Sequence, residues 1–365
     1  MFKYFLLIFL AASFYIANRV VSVAKINSRL KYVVYALFLI AGLICVAVFL
    51  GRRQSAGFIA FLTPLGYIIM GIWAITLSFC IVNEALNLVM LVFKIKNFRH
   101  YSTLVCLIVC VASSLWSIVN AGCILRVKEV DIAVPALNKR SLTIAAISDV
   151  HINDSTDPKD IVRLFEKTAS LQADMIVIIG DLIDVDIVKD DAYKRYGFDA
   201  LHAKYGVFAV SGNHDYYTGL PIFSELCRKT GIVMLQNESV LIDETIIVAG
   251  VNDVDWRNTE AIQSAFSSAR KDLPVLFLSH RPESFDIVQN IPDHAIIQLS
   301  GHTHAGQIPP VEIARRFFMK YNYGLYHAEN AVLYISSGAR WWGPPMRFGN
   351  VGEIALITLG GEAQR

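Results

Sequence analysis

The chain has 365 residues, 55% of them hydrophobic, and a formal net charge of +2 that conceals a split. Residues 1–125 hold ten Lys or Arg and a single acid, Glu84, a net +9, whereas the remainder carries 23 bases against 30 acids, a net −7. An acidic C-terminal part excludes a surface built for a phosphate backbone, so nucleic acid is not an expected partner. Five of the six cysteines lie in apolar runs, which leaves Cys227 alone beyond them and excludes an intradomain disulfide framework.

The basic third reads as membrane. Stretches at roughly 2–18, 32–50, 65–93 and 102–125 approach the ~20 apolar residues that a spanning helix needs. Lys3 ahead of a compact apolar run also fits a signal peptide, but no small-x-small cleavage pattern precedes Arg19 and more spans follow, so an uncleaved first helix is expected. Residues 56–93 are too few for two spans and a turn; one long span after Pro64, with an interfacial or re-entrant piece before it, fits instead. Asn83 and Glu84 lie four and three residues before Asn87 and share a helix flank with it. An acid within the bilayer marks a functional site and an acid at the headgroups does not; both readings of Glu84 stand. The basic connections at 19–31 and 94–100 (Arg19, Lys25, Arg29, Lys31, Lys94, Lys96, Arg99) outnumber Lys3, Arg52, Arg53, Arg126 and Lys128 by seven to five. That leans the C-terminal domain to the side away from the cytoplasm. The segment 126–140, with Pro135 and mixed charge, reads as a linker between a helical region 1–125 and a domain at 141–365.

From about residue 140 the pattern turns to short apolar runs separated by helical stretches. Strands are expected at 142–148, 175–179, 207–210, 246–249, 275–278, 295–299, 332–336 and 354–358. Asp157 and Pro158 open a helix over 158–171 whose apolar face is Ile161, Val162, Leu164, Phe165 and Thr168; a weaker helix runs from Thr259 to Lys271.

Most of the chemistry sits just after those strands. Five islands follow in order: Asp149-Val150-His151, Gly180-Asp181-Leu182-Ile183-Asp184, Gly212-Asn213-His214-Asp215, His280, and Gly301-His302-Thr303-His304, which together take five of the nine histidines. Asp, His and Asn hold borderline divalent metals, and in α/β sheets ligands collect beyond the carboxyl ends of strands. Any one island is an ordinary turn. Their joint occurrence at strand ends points to a metal site.

On these motifs the sequence resembles the calcineurin-like metallophosphoesterases over roughly 140–360, in particular a bacterial branch with N-terminal membrane helices. The resemblance implies a two-sheet α/β sandwich flanked by helices, two divalent ions (Mn, Fe or Zn), and a bacterial inner-membrane location. It also implies that Asp149 and His151 hold the first metal, that Asp181 bridges both, that Asn213, His280 and His302 hold the second, and that His304 returns to the first. His214 matches a histidine that contacts substrate, and Asp184 the acid that orients it. Two metals ~3.5–4 Å apart clamp the attacking and leaving oxygens of an in-line displacement and turn water into hydroxide near neutral pH. His214 would then protonate the leaving oxygen.

Departures narrow the substrate. Protein phosphatases of the superfamily place an Arg after the second motif, where this chain has Val185-Asp186, so phosphoprotein substrates are not expected. Ala305 follows His304 where the branch often has Gly. Arg347, in a closing Pro344-Pro345-Met346-Arg347 run, is either a phosphate contact or part of a structural salt bridge. Arg315-Arg316-Phe317-Phe318-Met319-Lys320 and Trp341-Trp342 combine cations and rings; core packing of a late helix is the plainer reading and a membrane-facing surface the alternative. The expected function is therefore a membrane-anchored phosphoesterase acting on mono- or diesters, with lipid or cell-envelope substrates in view. A pyrophosphate hydrolase of a nucleotide-linked lipid such as a UDP-diacylglucosamine is the alternative, and a non-catalytic scaffold or sensor the remaining one.

Overall fold

The computed structural model describes residues 2–24, 27–51, 58–137, 140–267 and 269–360. Lys25, Arg52 and Arg53, which enter the orientation count, lie outside them. The chain divides into two compact units: one holds the N-terminal helices together with Gln307–Ala314 and Gly343–Gly349, the other holds the rest from Ile124 onward.

The first unit contains four helices: α1 (Phe2–Ala24), α2 (Ser28–Gly51), α3 (Phe58–Met90) and α4 (Phe98–Cys123), each packed on its neighbour in sequence. Among the described residues Arg29–Gly51, Phe61–Met90 and Phe98–Cys123 are long and apolar enough to cross a membrane, and α1 is apolar over Phe9–Ala24. Small residues bring these helices close; a Cβ on Gly66 would stand 2.6 Å from the Val48 side chain. The interfacial piece expected ahead of Pro64 is instead the opening of α3, which runs unbroken through Pro64. A proline this near the start of a membrane helix removes a single backbone bond, and neighbouring helices compensate.

Glu84 lies six residues before the end of α3 and cross-links three helices. It pairs with Arg19 of α1 (2.5 Å) and Arg99 of α4 (3.1 Å), and accepts from the Tyr15 hydroxyl (3.2 Å). Its neighbours are also bonded across the bundle, Asn83 to Thr103 and Asn87 to Ser102.

The same unit takes in two segments of the C-terminal half. Ile308 and Met346 pack with Ile75, the Arg347 N–H donates to Ser117 O (2.9 Å), and Asn120 Nδ2 donates to Arg347 O (3.0 Å). Arg347 is only 1% exposed. That enclosure, with its backbone bonded to Ser117 and Asn120, favours the structural reading.

The second unit is built on twelve strands: β1 (Leu125–Ala133), β2 (Ser141–Ile147), β3 (Met175–Ile179), β4 (Val207–Val210), β5 (Val233–Met234), β6 (Glu238–Ile242), β7 (Ile246–Gly250), β8 (Val275–Leu278), β9 (Ile296–Ser300), β10 (Gly324–His327), β11 (Ala331–Ile335) and β12 (Gly352–Gly360). They form two six-stranded sheets, ordered β1-β12-β2-β3-β4-β5 and β10-β11-β9-β8-β7-β6. The eight strands expected from the sequence are all present. Much of the segment read as a linker is strand β1, paired in parallel with β12 along its length. Its charges disguise it, because Val130 and Ile132 point inward while Glu129 and Asp131, alternating with them, face outward at a sheet edge.

Period-two alternation sorts the strands into layers. Ile144, Ala146, Val177 and Ile179 join Val248, Leu276, Leu278 and Leu299 in the core between the sheets, whereas Ala145, Ile147 and Ile178 face outward under helices. The outer layers comprise α5 (Pro158–Ser170), α6 (Asn213–Thr218) and α7 (Leu220–Thr230) on one side and α8 (Thr259–Phe266) and α9 (Phe285–Val288) on the other, followed by α10 (Val311–Phe318). Asp157 caps α5 by accepting from Lys159 N, with Pro158 in its first turn. Because β2, β3 and β4 run parallel in one sheet, and β7, β8, β9 and β11 in the other, the loops that follow β2, β3, β4, β8 and β9 gather the islands at carboxyl strand ends.

No residue of α10 is buried: Phe317 is 74% exposed and Phe318 85%. Core packing is therefore not what this basic, aromatic helix does.

Candidate metal centre

Strands β2, β3 and β9 end in tight reversals that turn side chains inward. Asp149, His151, Asp181, His302 and His304 all take positive φ, between 50° and 70°, a left-handed conformation that non-glycine residues adopt at a cost of ~1–3 kcal/mol and that clusters at functional sites. Glycines make room for them. A Cβ on Gly301 would run into Ser148 Oγ and stand 2.5 Å from Asp149 Oδ2; one on Gly180 would stand 2.7 Å from His280 Nδ1.

The side chains converge in two groups, Asp149–His151–His304 and Asp181–His280–His302. In the first, His151 Nε2 lies 3.2 Å from His304 Nε2, and His304 Nε2 3.3 Å from Asp149 Oδ1. In the second, His280 Nε2 lies 3.2 Å from Asp181 Oδ2 and 3.3 Å from His302 Nδ1. Asp181 Oδ2 also stands 3.7 Å from His151 Nε2, so one carboxylate oxygen faces both groups. The outer nitrogens are already committed: His280 Nδ1–H donates to Ile179 O (2.8 Å) and His151 Nδ1–H to Asp184 Oδ1 (2.8 Å). Their Nε2 lone pairs are thereby turned toward other lone pairs, the arrangement of a ligand set with its supporting partners in place.

Asn213 supplies the test of fit. Its Oδ1 is buried and has no hydrogen-bond partner among the described residues, in a site where buried acceptors are otherwise bonded. An amide oxygen, two carboxylates and four imidazoles form an N/O donor set that suits Mn, Fe or Zn. The buried carboxylates hold protons on two of these imidazoles, protons that a bound metal would displace. Burial alone lowers the pKa of His151 and His280, yet Asp184 reverses it for His151, to about 9, and Asp181 for His280, to about 10. Burial, with His280 and Arg281, drives His302 down to about 2, keeping it a neutral donor.

A third group, His151–Asp184–His214, has the spacing of hydrogen bonds. Asp184 Oδ1 accepts from His151 Nδ1 and, at 2.9 Å, from His214 Nδ1. The His214 N–H donates to Asp181 Oδ1 (2.8 Å), and its ring lies 4.7 Å from that of His151 and 5.6 Å from that of Trp342. The structure thus brings Asp149, His151, Asp181, Asp184, His214, His280, His302 and His304 together. Asn213 joins them through the turn that places His214, and Arg347 lies in the helical unit. Among the described residues none of His100, His202, His294 and His327 belongs to these groups.

The family model for calcineurin-like phosphoesterases matches residues 142–306, which span every island described above. The chain carries a calcineurin-like metallophosphoesterase domain. A metallophosphoesterase of Helicobacter pylori is 31% identical over 240 residues, 64% of this chain and 64% of its own length, so the chain matches just under two thirds of that relative. A zebrafish transmembrane protein with metallophosphoesterase domain is 28% identical over 82% of this chain and 74% of its own. A UDP-2,3-diacylglucosamine pyrophosphatase of Chlamydia trachomatis is 25% identical over 59% of this chain and 83% of its own.

The metallophosphoesterase domain also holds residues that sequence reasoning passed over. Asp215 is buried and braces two loops, its Oδ1 accepting from Leu182 N and Ile183 N and its Oδ2 from Gly212 N; burial and then the Asp181 charge raise its pKa to about 7. Its place in the Gly-Asn-His-Asp island is the signal that could have found it. Arg281 follows His280 directly. Asp253 grips its guanidinium through Nε and Nη2 (2.8 and 3.2 Å), and Nη1 lies 3.1 Å from His302 Nε2.

Ala305 is in the left-handed region (φ 51°, ψ 25°). Ala305→Gly should therefore raise thermal stability by about 1 kcal/mol, or 2–4 °C in the melting temperature. An unchanged or lower melting temperature would show that the methyl's packing outweighs the backbone cost.

Proposed function

We propose that this chain is a membrane-anchored, two-metal phosphoesterase that hydrolyses a phosphate mono- or diester, with lipid-linked or cell-envelope phosphoesters as its substrate class. The convergence of two lone-pair clusters on one shared carboxylate, Asp181, carries the reading. Asp149, His151, Asp181 and His304 would hold one ion, and Asp181, Asn213, His280 and His302 the other. Divalent ions bound there supply Lewis-acid charge at phosphoryl oxygens and lower the pKa of water to near neutrality.

The protein's own groups complete the chemistry. Asp184 fixes His214 at Nδ1, which leaves Nε2 to carry a proton to the departing oxygen. Arg281 presents a guanidinium whose fork suits a phosphate oxygen, held in place by Asp253. Arg281→Gln should raise KM roughly tenfold with a smaller effect on kcat; an unchanged KM would remove Arg281 from substrate binding.

Support for a lipid-linked substrate comes from the exposed Phe317 and Phe318 beside Arg315 and Arg316, and from Trp342, half exposed next to His214. Rings and cations of this kind suit a bilayer interface. Replacing Phe317 and Phe318 with Ser should cut turnover of a phospholipid while sparing a soluble diester; equal losses on both would count against the assignment.

The deciding experiment is a phosphoester panel with purified full-length protein, with and without Mn²⁺: bis-p-nitrophenyl phosphate, the monoester analogue, phospholipids and a nucleotide-linked lipid. Metal-dependent hydrolysis of any ester supports the chemistry; none on the whole panel overturns it. A second reading, pyrophosphate hydrolysis of a nucleotide-linked lipid, draws on the similarity to the Chlamydia enzyme, and preferential cleavage of the nucleotide-linked lipid would select it. The seven basic residues in the connections at 19–31 and 94–100, against five on the other side, lean the domain to the extracytoplasmic side.

A further inference from the structure

The α3–α4 turn of the helical unit encloses a cleft of about 650 Å³, a volume in the range of ligand sites. Glu84, Asn87, Lys94 and Arg99 form its polar wall, and Leu91 and Phe98 belong to its apolar lining. Asn87 is the telling residue. It is 7% exposed, its Oδ1 accepts from the Ser102 hydroxyl at 2.9 Å, and its Nδ2 has no hydrogen-bond partner among the described residues. A buried amide donor left unpaired in an apolar bundle costs on the order of 1–3 kcal/mol, so its persistence calls for an acceptor that arrives from outside.

Charge specifies that acceptor. Arg19 and Arg99 share the carboxylate of Glu84, and Lys94 adds a third cation on the turn between the helices. Lys94 and Arg99 line the cleft against the single carboxylate of Glu84, which Arg19 also neutralises from outside the lining, so the cleft is net positive. A turn between two membrane helices places this polar wall at headgroup depth, with Leu91 and Phe98 beside it for an acyl chain.

We infer that the α3–α4 cleft binds the phosphate group of an anionic phospholipid, accepting from Asn87 Nδ2 and pairing with Lys94 and the free face of Arg99. The inference concerns the helical unit alone and does not depend on the phosphoesterase reading.

It is tested by native mass spectrometry of full-length protein in detergent, titrated with phosphatidylglycerol or phosphatidylcholine, with glycerol 3-phosphate as a soluble competitor. The first phosphatidylglycerol should bind in preference to phosphatidylcholine. Lys94→Gln, on an exposed turn where the fold of the bundle is not at stake, should weaken that step roughly fivefold, and Asn87→Leu should weaken it as well. Lys96→Gln, outside the cleft, should leave it unchanged. Undiminished selectivity in both cleft variants, or an equal loss in Lys96→Gln, overturns the site. Displacement by millimolar glycerol 3-phosphate overturns the lipid as its occupant.

Discussion

Asp181→Asn is expected to yield a folded protein that has lost bound metal and, with it, roughly 10⁴-fold in kcat/KM. The change is nearly isosteric, and the amide oxygen can still accept from the His214 N–H at Oδ1, so the fold should hold. At Oδ2 the loss is electrostatic. That oxygen lies 3.2 Å from His280 Nε2 and 3.7 Å from His151 Nε2, and a neutral amide there removes the one negative charge both groups share. Two-metal stabilisation of a phosphoryl transition state is worth several kcal/mol, and ~5.5 kcal/mol corresponds to that factor. Metal content by mass spectrometry and hydrolysis of bis-p-nitrophenyl phosphate give the readout. Two retained ions with full activity would show that Asp181 does not bridge.

His214→Ala should separate proton transfer from metal binding. His214 reaches Asp184 through Nδ1, belongs to neither ligand group, and touches Asp181 only through its backbone N–H, which Ala keeps, so both ions should remain while kcat falls by about 10²–10⁴-fold. The defect should shrink on substrates with good leaving groups such as p-nitrophenolate, which need little protonation. Loss of metal together with activity, or an equal defect on good and poor leaving groups, would refute the role of acid.

These expectations rest on a site that the sequence displayed openly, for a physical reason. Parallel strands of two sheets deliver their carboxyl ends to one rim, so ligands read as short islands after apolar runs, and the side chains of all five islands from Asp149 to His304 were recognisable by position. The eight strands were legible because most of their positions are buried and their apolar runs are nearly continuous. Strand β1 was not, since an edge strand wears charge on its outer face and imitates a linker. Arg281 was invisible because nothing in a single sequence tells an arginine beside a ligand from one on a surface. Arg347 stood between two readings for the converse reason: its backbone bonds run to Ser117 and Asn120, more than two hundred residues earlier. The aromatic run at 317–318 resembled core, and only its exposure shows that no core covers it.

The inclusion of Gln307–Ala314 and Gly343–Gly349 in the helical unit has a practical consequence for anyone wishing to excise the metallophosphoesterase domain. A cut at residue 126 severs one peptide bond but strips Ile308, Met346 and Arg347 of the helix surfaces that enclose them. A fragment so liberated should aggregate, and rescue should come from polar replacements at Ile308 and Met346 rather than from moving the cut site.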